Sequence, residues 1–322
     1  MKAPGFWHAD GLVPRLLSPL GHAYAAATAR RVAREGLRLP VPVISVGNVS
    51  AGGTGKTPVA MELVGRLRAM GVEAHVVTRG HGGRLRGPVR VDPLSHGAEE
   101  VGDEALLLGG LGTVWVARDR AAGGRAAVEA GAEALILDDA HQNPALVKDL
   151  SVVVVDAETG FGNGRCIPAG PLREPVRDAL SRADLVALLG PPEARAARPH
   201  GFGDVALVEG RLAPLRTGMD WSGVRALAFA GIGRPEKFFD TLRGRGVDIA
   251  RTVPLGDHQP LPDALMRRLA ADADALGAEL VCTEKDLVRL PAEWRGRVLF
   301  LPVRVDWADA APLDAALSRI VR

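Results

Sequence analysis

Short apolar runs alternate with longer stretches of helical spacing from about residue 41 to the C-terminus. Residues 41–46 are apolar and β-branched, which predicts a buried strand, and 57–70 carry Val59, Leu63, Leu67 and Met70 on one helical face. Further strands are predicted at 73–78, 113–117, 133–137, 151–155 and 184–189, with a helix at 118–130. Residues 191–204, rich in Pro, Ala, Arg and Gly, read as a linker. Beyond them a second alternation predicts strands at 225–230, 247–252, 279–282 and 297–301 and helices at 235–242, 261–275 and 311–320. Alternation of this kind predicts parallel sheets covered by helices. The expected organisation is an N-terminal helical segment, 1–38, a large α/β domain, 39–200, and a smaller α/β domain, 201–322.

With 322 residues, 47% of them hydrophobic, the chain can bury two cores. A net charge of +2 gives no electrostatic basis for a nucleic-acid binder. The basic excess is local: residues 1–38 hold six Lys/Arg against two Asp/Glu. Cys166 and Cys282 lie far apart and outside any CxxC pair, which argues against a disulfide framework or structural zinc and suits a reducing cytoplasm. There is neither a run of 18 apolar residues nor a signal-peptide pattern, so no membrane crossing is expected. Residues 5–29 nonetheless carry Phe6, Trp7, Leu16, Leu17, Leu20 and Tyr24 ahead of Arg30, Arg31 and Arg34. That composition suits a helix lying in the headgroup layer of an anionic membrane, and equally one packed on the protein's own core. Pro14 and Pro19 are expected to break this helix early.

The first strand and helix are joined by VGNVSAGGTGKTP, residues 46–58, and strand, glycine turn and helix are the context of a P-loop. The candidate cradle is Ser50, Ala51, Gly52, Gly53, Thr54, Gly55, Lys56 and Thr57. Its glycines let successive backbone N–H groups face one anion, Lys56 reaches the β and γ phosphates, and the Thr57 hydroxyl is suited to Mg2+. The strict GxxxxGK[ST] pattern has glycine where this chain has Ser50. ALILDD, residues 134–139, ends an apolar strand in Asp138 and Asp139, one of which is expected to hold the magnesium, directly or through water. Three loop segments are candidates for the same crevice: TRGHGG at 78–83, VGDEA with Asp103 and Glu104, and GPLRE with Arg173 and Glu174. On spacing alone each acidic or basic pair suits a helix cap or a surface ion pair as well as a catalytic role. His258, next to Asp257 in a loop of the second alternation, is the histidine placed to reach over a cleft.

Taken in order, SVGNVSAGGTGKTP, TRGHGG, GDEA, LDDAHQN, GPLREP, AFAGIGRPEKFF, DHQ and TEKDLVRL make the chain resemble the tetraacyldisaccharide 4′-kinase family of Gram-negative bacteria. The resemblance implies a P-loop NTPase-type α/β/α sandwich with a second, smaller α/β domain and an N-terminal membrane-associating helix. It implies ATP and Mg2+, and transfer of the γ-phosphate to the 4′-hydroxyl of a lipid A precursor at the cytoplasmic face of the inner membrane. Asp103 and His258 match the family's catalytic dyad. Thr57, Asp138, Asp139 and Glu174 match its magnesium and phosphate-end groups, Gln142 and Arg173 its positioning groups, and Glu104 a neighbour of the base. Departures fall at His81, Ala140, His141, Asn143 and Gln259, and no supportive role carries over to His81, His141 or Gln259. A membrane-associated ATPase switch is the competing reading, but such switches carry a lysine early in the loop where this chain has Ala51.

Overall fold

The computed structural model describes residues 4–197, 199 and 201–321; two positions of the expected linker, 198 and 200, and the first three residues of the expected N-terminal segment lie outside the described residues. Among the described residues the strands form two sheets. The larger has the order β13-β8-β7-β6-β1-β5-β2-β4-β3, where β1 is Val43–Gly47, β2 Ala74–Thr78, β3 Val89–Arg90, β4 Val114–Val116, β5 Ala134–Asp138, β6 Leu150–Asp156, β7 Leu185–Leu189, β8 Ala206–Pro214 and β13 Val303–Trp307. The smaller has the order β10-β9-β11-β12, with β9 Arg225–Ala230, β10 Asp248–Pro254, β11 Glu279–Thr283 and β12 Leu299–Leu301. The smaller sheet is parallel throughout, and the larger is parallel except where β3 and β13 cap its two edges.

Every residue of β1, β5, β6 and β7 is buried, because helices cover both faces. Alternate residues of β1 point to different cores: Ile44 and Val46 join Val59, Leu63 and Leu67 of helix α2, Lys56–Ala69, while Val43 packs with Leu135 and Leu137 on the other face. The expected helical face is therefore the buried one, except that Met70 lies exposed beyond the helix end.

The boundary expected at residue 200 falls elsewhere. The smaller sheet is an insertion between β8 and β13, and both of those strands belong to the larger sheet, where they pair antiparallel from Val303↔Pro214 to Trp307↔Gly210. The final helix, Ala311–Ile320, follows them and buries Leu313 and Leu317 in the same core as α2. The expected linker holds a short helix, Pro192–Ala196. Ion pairs tie the two sheets together on one side, where Arg234 and Lys237 reach Asp156 and Glu158.

The N-terminal segment is a 3-10 turn, Gly5–His8, followed by helix α1, Leu12–Val32. Contrary to expectation, α1 continues through both prolines. Pro14 sits in the first turn, where its missing N–H would be unpaired anyway, and beside Pro19 the Ser18 hydroxyl donates to the Pro14 carbonyl at 2.9 Å. Among the described residues no helix is long and apolar enough to cross a membrane.

Leu317→Ala follows from the return of the C-terminus to the larger sheet. The side chain is fully buried, so its truncation is expected to cost about 2–5 kcal/mol. In native-state hydrogen exchange, amides of β6 and β8 lose protection while those of β9 and β11 keep theirs; the reverse pattern would contradict the topology.

Candidate active site

The parallel strands of the larger sheet present their C-terminal ends to one crevice, the place where open α/β sheets bind ligands. β1 runs into the glycine turn, and β5, paired beside it through Val46↔Asp138, delivers the two aspartates to the foot of that turn. Inside the turn the Asn48 amide donates to the Ser50 carbonyl at 2.7 Å and the Thr54 hydroxyl at 3.2 Å, holding the loop open from within. Gly55 starts α2 at φ 93°, and a Cβ there would lie 2.8 Å from Leu189, so the lysine turn requires glycine. Ala51 donates its N–H to the Pro171 carbonyl at 2.7 Å, which fastens the cradle to the loop after β6.

Lys56 lies 3.8 Å from Asp139, and Arg173 donates to the same Asp139 oxygen at 2.8 Å. Partial burial pushes the Asp139 pKa up, but Lys56 and Arg173 outweigh it and hold the carboxyl below its ordinary value. Asp138 has the opposite environment. Burial, with Glu104 and Asp139 nearby, raises its pKa to about 7. Its Oδ2 accepts from the Thr78 hydroxyl at 3.2 Å, and its Oδ1 is buried without a partner among the described residues. Arg120, itself buried, donates to the Asp138 and Ala117 carbonyls at 3.0 and 2.8 Å and locks the strand end.

Glu174, expected beside the metal, has both carboxylate oxygens engaged: Oε1 accepts from Gln142 at 2.9 Å and Oε2 from Arg182 at 2.7 Å. Gln142 also donates to the Asn48 carbonyl at 2.8 Å, so this carboxylate braces the base of the cradle through its neighbour.

Asp103 and His258 meet across the crevice. Gly102, at φ 88° and with room for a Cβ only 2.4 Å from the His81 carbonyl oxygen, turns the chain so that Asp103 begins the helix Asp103–Gly109. His258 comes from the loop after β10, and its Nδ1 lies 2.9 Å from Asp103 Oδ2. Burial opposes ionisation of Asp103, but the His258 hydrogen bond, Lys285 and Arg289 together hold its pKa below the ordinary value. Both Asp139, at φ 49°, and His258, at φ 56°, adopt the left-handed backbone conformation, uncommon for residues other than glycine and concentrated at functional positions.

The structure also gives places to the departures. The His81 ring stands edge-on to His258 with centroids 5.9 Å apart. His141 is buried, pairs through Nε2 with the Ala179 carbonyl at 3.0 Å, and has its pKa lowered to about 4, first by burial and then by Lys148. Gln259 accepts the Gly256 N–H at 2.9 Å and shapes the His258 loop. Asn143 accepts the Ala145 N–H at 2.9 Å. Sequence reasoning assigned nothing to Asn48, Thr78, Arg120, Lys285 or Arg289. TEKDLVRL, already singled out as a segment, holds the last two, whereas Arg120 offered no signal beyond its place in a first helical turn.

The sequence profile of the tetraacyldisaccharide-1-P 4′-kinase family matches residues 13–322. The chain is 60% identical to the tetraacyldisaccharide 4′-kinase of Dinoroseobacter shibae, over 99% of this chain and 98% of that relative. It is 55% identical to that of Jannaschia sp., over 100% of this chain and 99% of the relative. The crystal structure of the "apo" form of LpxK from Aquifex aeolicus in complex with ATP superposes with a TM-score of 0.78 at 25% identity, covering 97% of this chain and all of that one. These matches span both sheets and every segment of the crevice, and the chain belongs to the tetraacyldisaccharide-1-P 4′-kinase family.

Proposed function

We propose that this chain moves the γ-phosphoryl group of ATP onto the 4′-hydroxyl of a tetraacyl disaccharide 1-phosphate, with Asp103, oriented by His258, taking the hydroxyl proton. The observation that most supports the reading is the 2.9 Å Asp103–His258 contact beside the glycine cradle. In the transfer, the hydroxyl oxygen forms a bond to the γ phosphorus, the bond to the β–γ bridging oxygen breaks, and the proton passes to Asp103. A carboxylate held below its ordinary pKa is a weak base, so the proton leaves late, as the new P–O bond makes the hydroxyl acidic. Lys56 and N–H groups of the glycine turn from Gly52 to Thr57 hold the phosphates, and Arg173 steadies Asp139 beside them.

The residues present fit a magnesium ion. Asp138 offers a buried oxygen with no partner among the described residues, and the Thr57 hydroxyl and Asp139 would complete the set. Among the described residues no three His, Cys, Asp or Glu side chains form a metal-binding group, so the protein side of such a site would rest on Asp138, Asp139 and Thr57. When bound, such an ion would supply charge neutralisation at the phosphates. Glu174 acts one step out, through Gln142.

The acyl chains call for presentation from a membrane, and α1 suits that task. It leaves Leu12, Val13, Leu16 and Leu20 exposed along its outer side. The 3-10 turn ahead of it is docked by Trp7, whose indole donates to the Pro168 carbonyl at 3.1 Å, and the helix's own inner side by Gly21 against the Cys166 carbonyl. That loop continues to Pro171, which binds the cradle through Ala51. This apolar surface, carried on a helix docked to the loop that holds the cradle, supports the reading of peripheral attachment at the cytoplasmic face of the inner membrane.

Three outcomes are expected. Asp103→Ala or His258→Ala each lowers kcat by about 10²–10⁴-fold, and the double variant falls little further than the worse single one; fully multiplicative losses in steady-state kinetics would count against a coupled pair. Leu12→Glu/Leu16→Glu/Leu20→Glu binds ATP normally but sediments with anionic vesicles at least about tenfold less, each buried leucine being worth about 1.5–3 kcal/mol. Asp138→Asn bears on the buried carboxylate. Its folded pKa, about 7, lies above the unfolded value of about 4, so the folded state binds more protons between the two and stability falls as pH rises through that window. Without nucleotide or cation, the variant has a higher denaturant midpoint than the parent above pH ~7, and the difference shrinks toward pH ~4; a parent midpoint that rises relative to the variant as pH increases from ~4 to ~7 would oppose this.

A further inference from the structure

Lys285, one of the cations that hold Asp103 ionised, also faces the far side of the His258 ring. Its Nζ is 3.3 Å from His258 Nε2, 3.3 Å from Glu104 Oε1 and 3.9 Å from Asp103 Oδ2. The short helix that carries it, Glu284–Leu287, is fixed by its neighbour Asp286, which is fully buried, accepts the Gly231 N–H at 3.0 Å and pairs with Arg289. Gly231 in turn accepts the His258 N–H at 3.2 Å and an Arg289 N–H at 2.8 Å. One glycine peptide therefore ties the His258 backbone to the short helix that carries Lys285.

We propose that Lys285 is the positioning residue of the pair, donating to His258 Nε2 so that the imidazole stays neutral with its Nδ1–H held on Asp103. A lysine ammonium has three hydrogens to donate and no acceptor site. The ring nitrogen facing it must then carry a lone pair, and the hydrogen of the neutral ring sits on Nδ1, where it meets the Asp103 carboxylate. Glu104 takes a second hydrogen of Lys285 and keeps the ammonium in place. The inference deepens the proposed Asp103–His258 reading and rests on it.

The consequence is chemical. With Nδ1 already protonated and Nε2 occupied by Lys285, the ring has no site to receive a proton from Asp103, so the proton from the sugar hydroxyl stays on Asp103. The pair orients and accepts; it does not relay. The charged and titratable groups facing the ring are Asp103 on one side and Lys285, with Glu104 behind it, on the other. Asp257 lies 3.8 Å from Nε2, the His81 ring stands edge-on, and Arg289 is 3.9 Å from Asp103 with Asp286 as its own partner. Without Lys285 the ring faces Asp103 and Asp257 with no competing cation on Nε2, an arrangement that favours the doubly protonated imidazolium.

Long-range proton–nitrogen NMR of the full chain with labelled histidine, His258 being assigned from the spectrum of His258→Ala, tests this directly. At neutral pH the parent is expected to show a neutral His258 protonated on Nδ1, and Lys285→Met to shift both ring nitrogens toward the doubly protonated form. The same variant is expected to lose about 10- to 100-fold in kcat with KM for ATP nearly unchanged. Lys285→Arg, still a donor, restores the tautomer and most of the rate. A parent ring protonated on Nε2, or ring nitrogens unmoved in Lys285→Met, would overturn the proposal. Should Lys285→Met fail to fold, the parent tautomer alone decides. The spectra need no turnover, so if Asp103→Ala and His258→Ala kept full activity, the catalytic reading would fail separately from the tautomer assignment.

Discussion

A buried carboxylate at the start of a helix packed on the larger sheet meets an imidazole from a loop of the inserted unit, and much of the architecture depends on that contact. Asp103 is 4% exposed, and a carboxylate so buried is tolerated only with partners in good geometry. Its partners His258, Lys285 and Arg289 all belong to the inserted unit. The larger sheet supplies the phosphate cradle and the aspartates, and the smaller one supplies what completes Asp103. Because the insertion leaves and rejoins the large sheet at neighbouring antiparallel strands, β8 and β13, its orientation is set by those strands together with the Arg234 and Lys237 ion pairs to Asp156 and Glu158.

Three carboxylates at the crevice have different environments. Asp103 and Asp139 are held ionised by adjacent cations, while Asp138, buried and near two other acids, has its pKa raised to about 7. Separation of pKa values among neighbouring acids is how one site divides its chemistry. Of the three, Asp103 is the one paired with a histidine, which supports the proposed proton acceptance there, and Asp138 is the one whose buried Oδ1 has no partner among the described residues.

The doubly wound core was legible in the sequence because its signals are local. The β-branched run before the cradle and the spacing of Val59, Leu63 and Leu67 fall on β1 and the buried side of α2. The β8–β13 edge was not legible: β8 contains Glu209, Gly210, Arg211 and Pro214 in an irregular mix of buried and exposed positions, and its partner lies almost a hundred residues away, so no local periodicity reports the pairing. Pro19 misled for the converse reason, since a local rule yields to tertiary support along α1. Within the site, resemblance named Asp103 and His258, while their meeting depends on a turn at Gly102 and a left-handed backbone at His258. Lys285 escaped notice because a lysine on a four-residue helix has an ordinary solvated role unless its surroundings are known.

An exposed leucine face on α1, a loop docked against it and a phosphate cradle fastened to that same loop form one continuous path from an apolar surface to the crevice. The central claim is that this path ends in phosphoryl transfer to a lipid-borne sugar hydroxyl. Purified protein with γ-labelled ATP, magnesium and tetraacyldisaccharide 1-phosphate in detergent micelles tests it most directly. The account predicts label in a bisphosphorylated lipid. Unlabelled lipid, with ATP hydrolysed only when vesicles are added, would contradict it and favour a membrane-responsive ATPase instead.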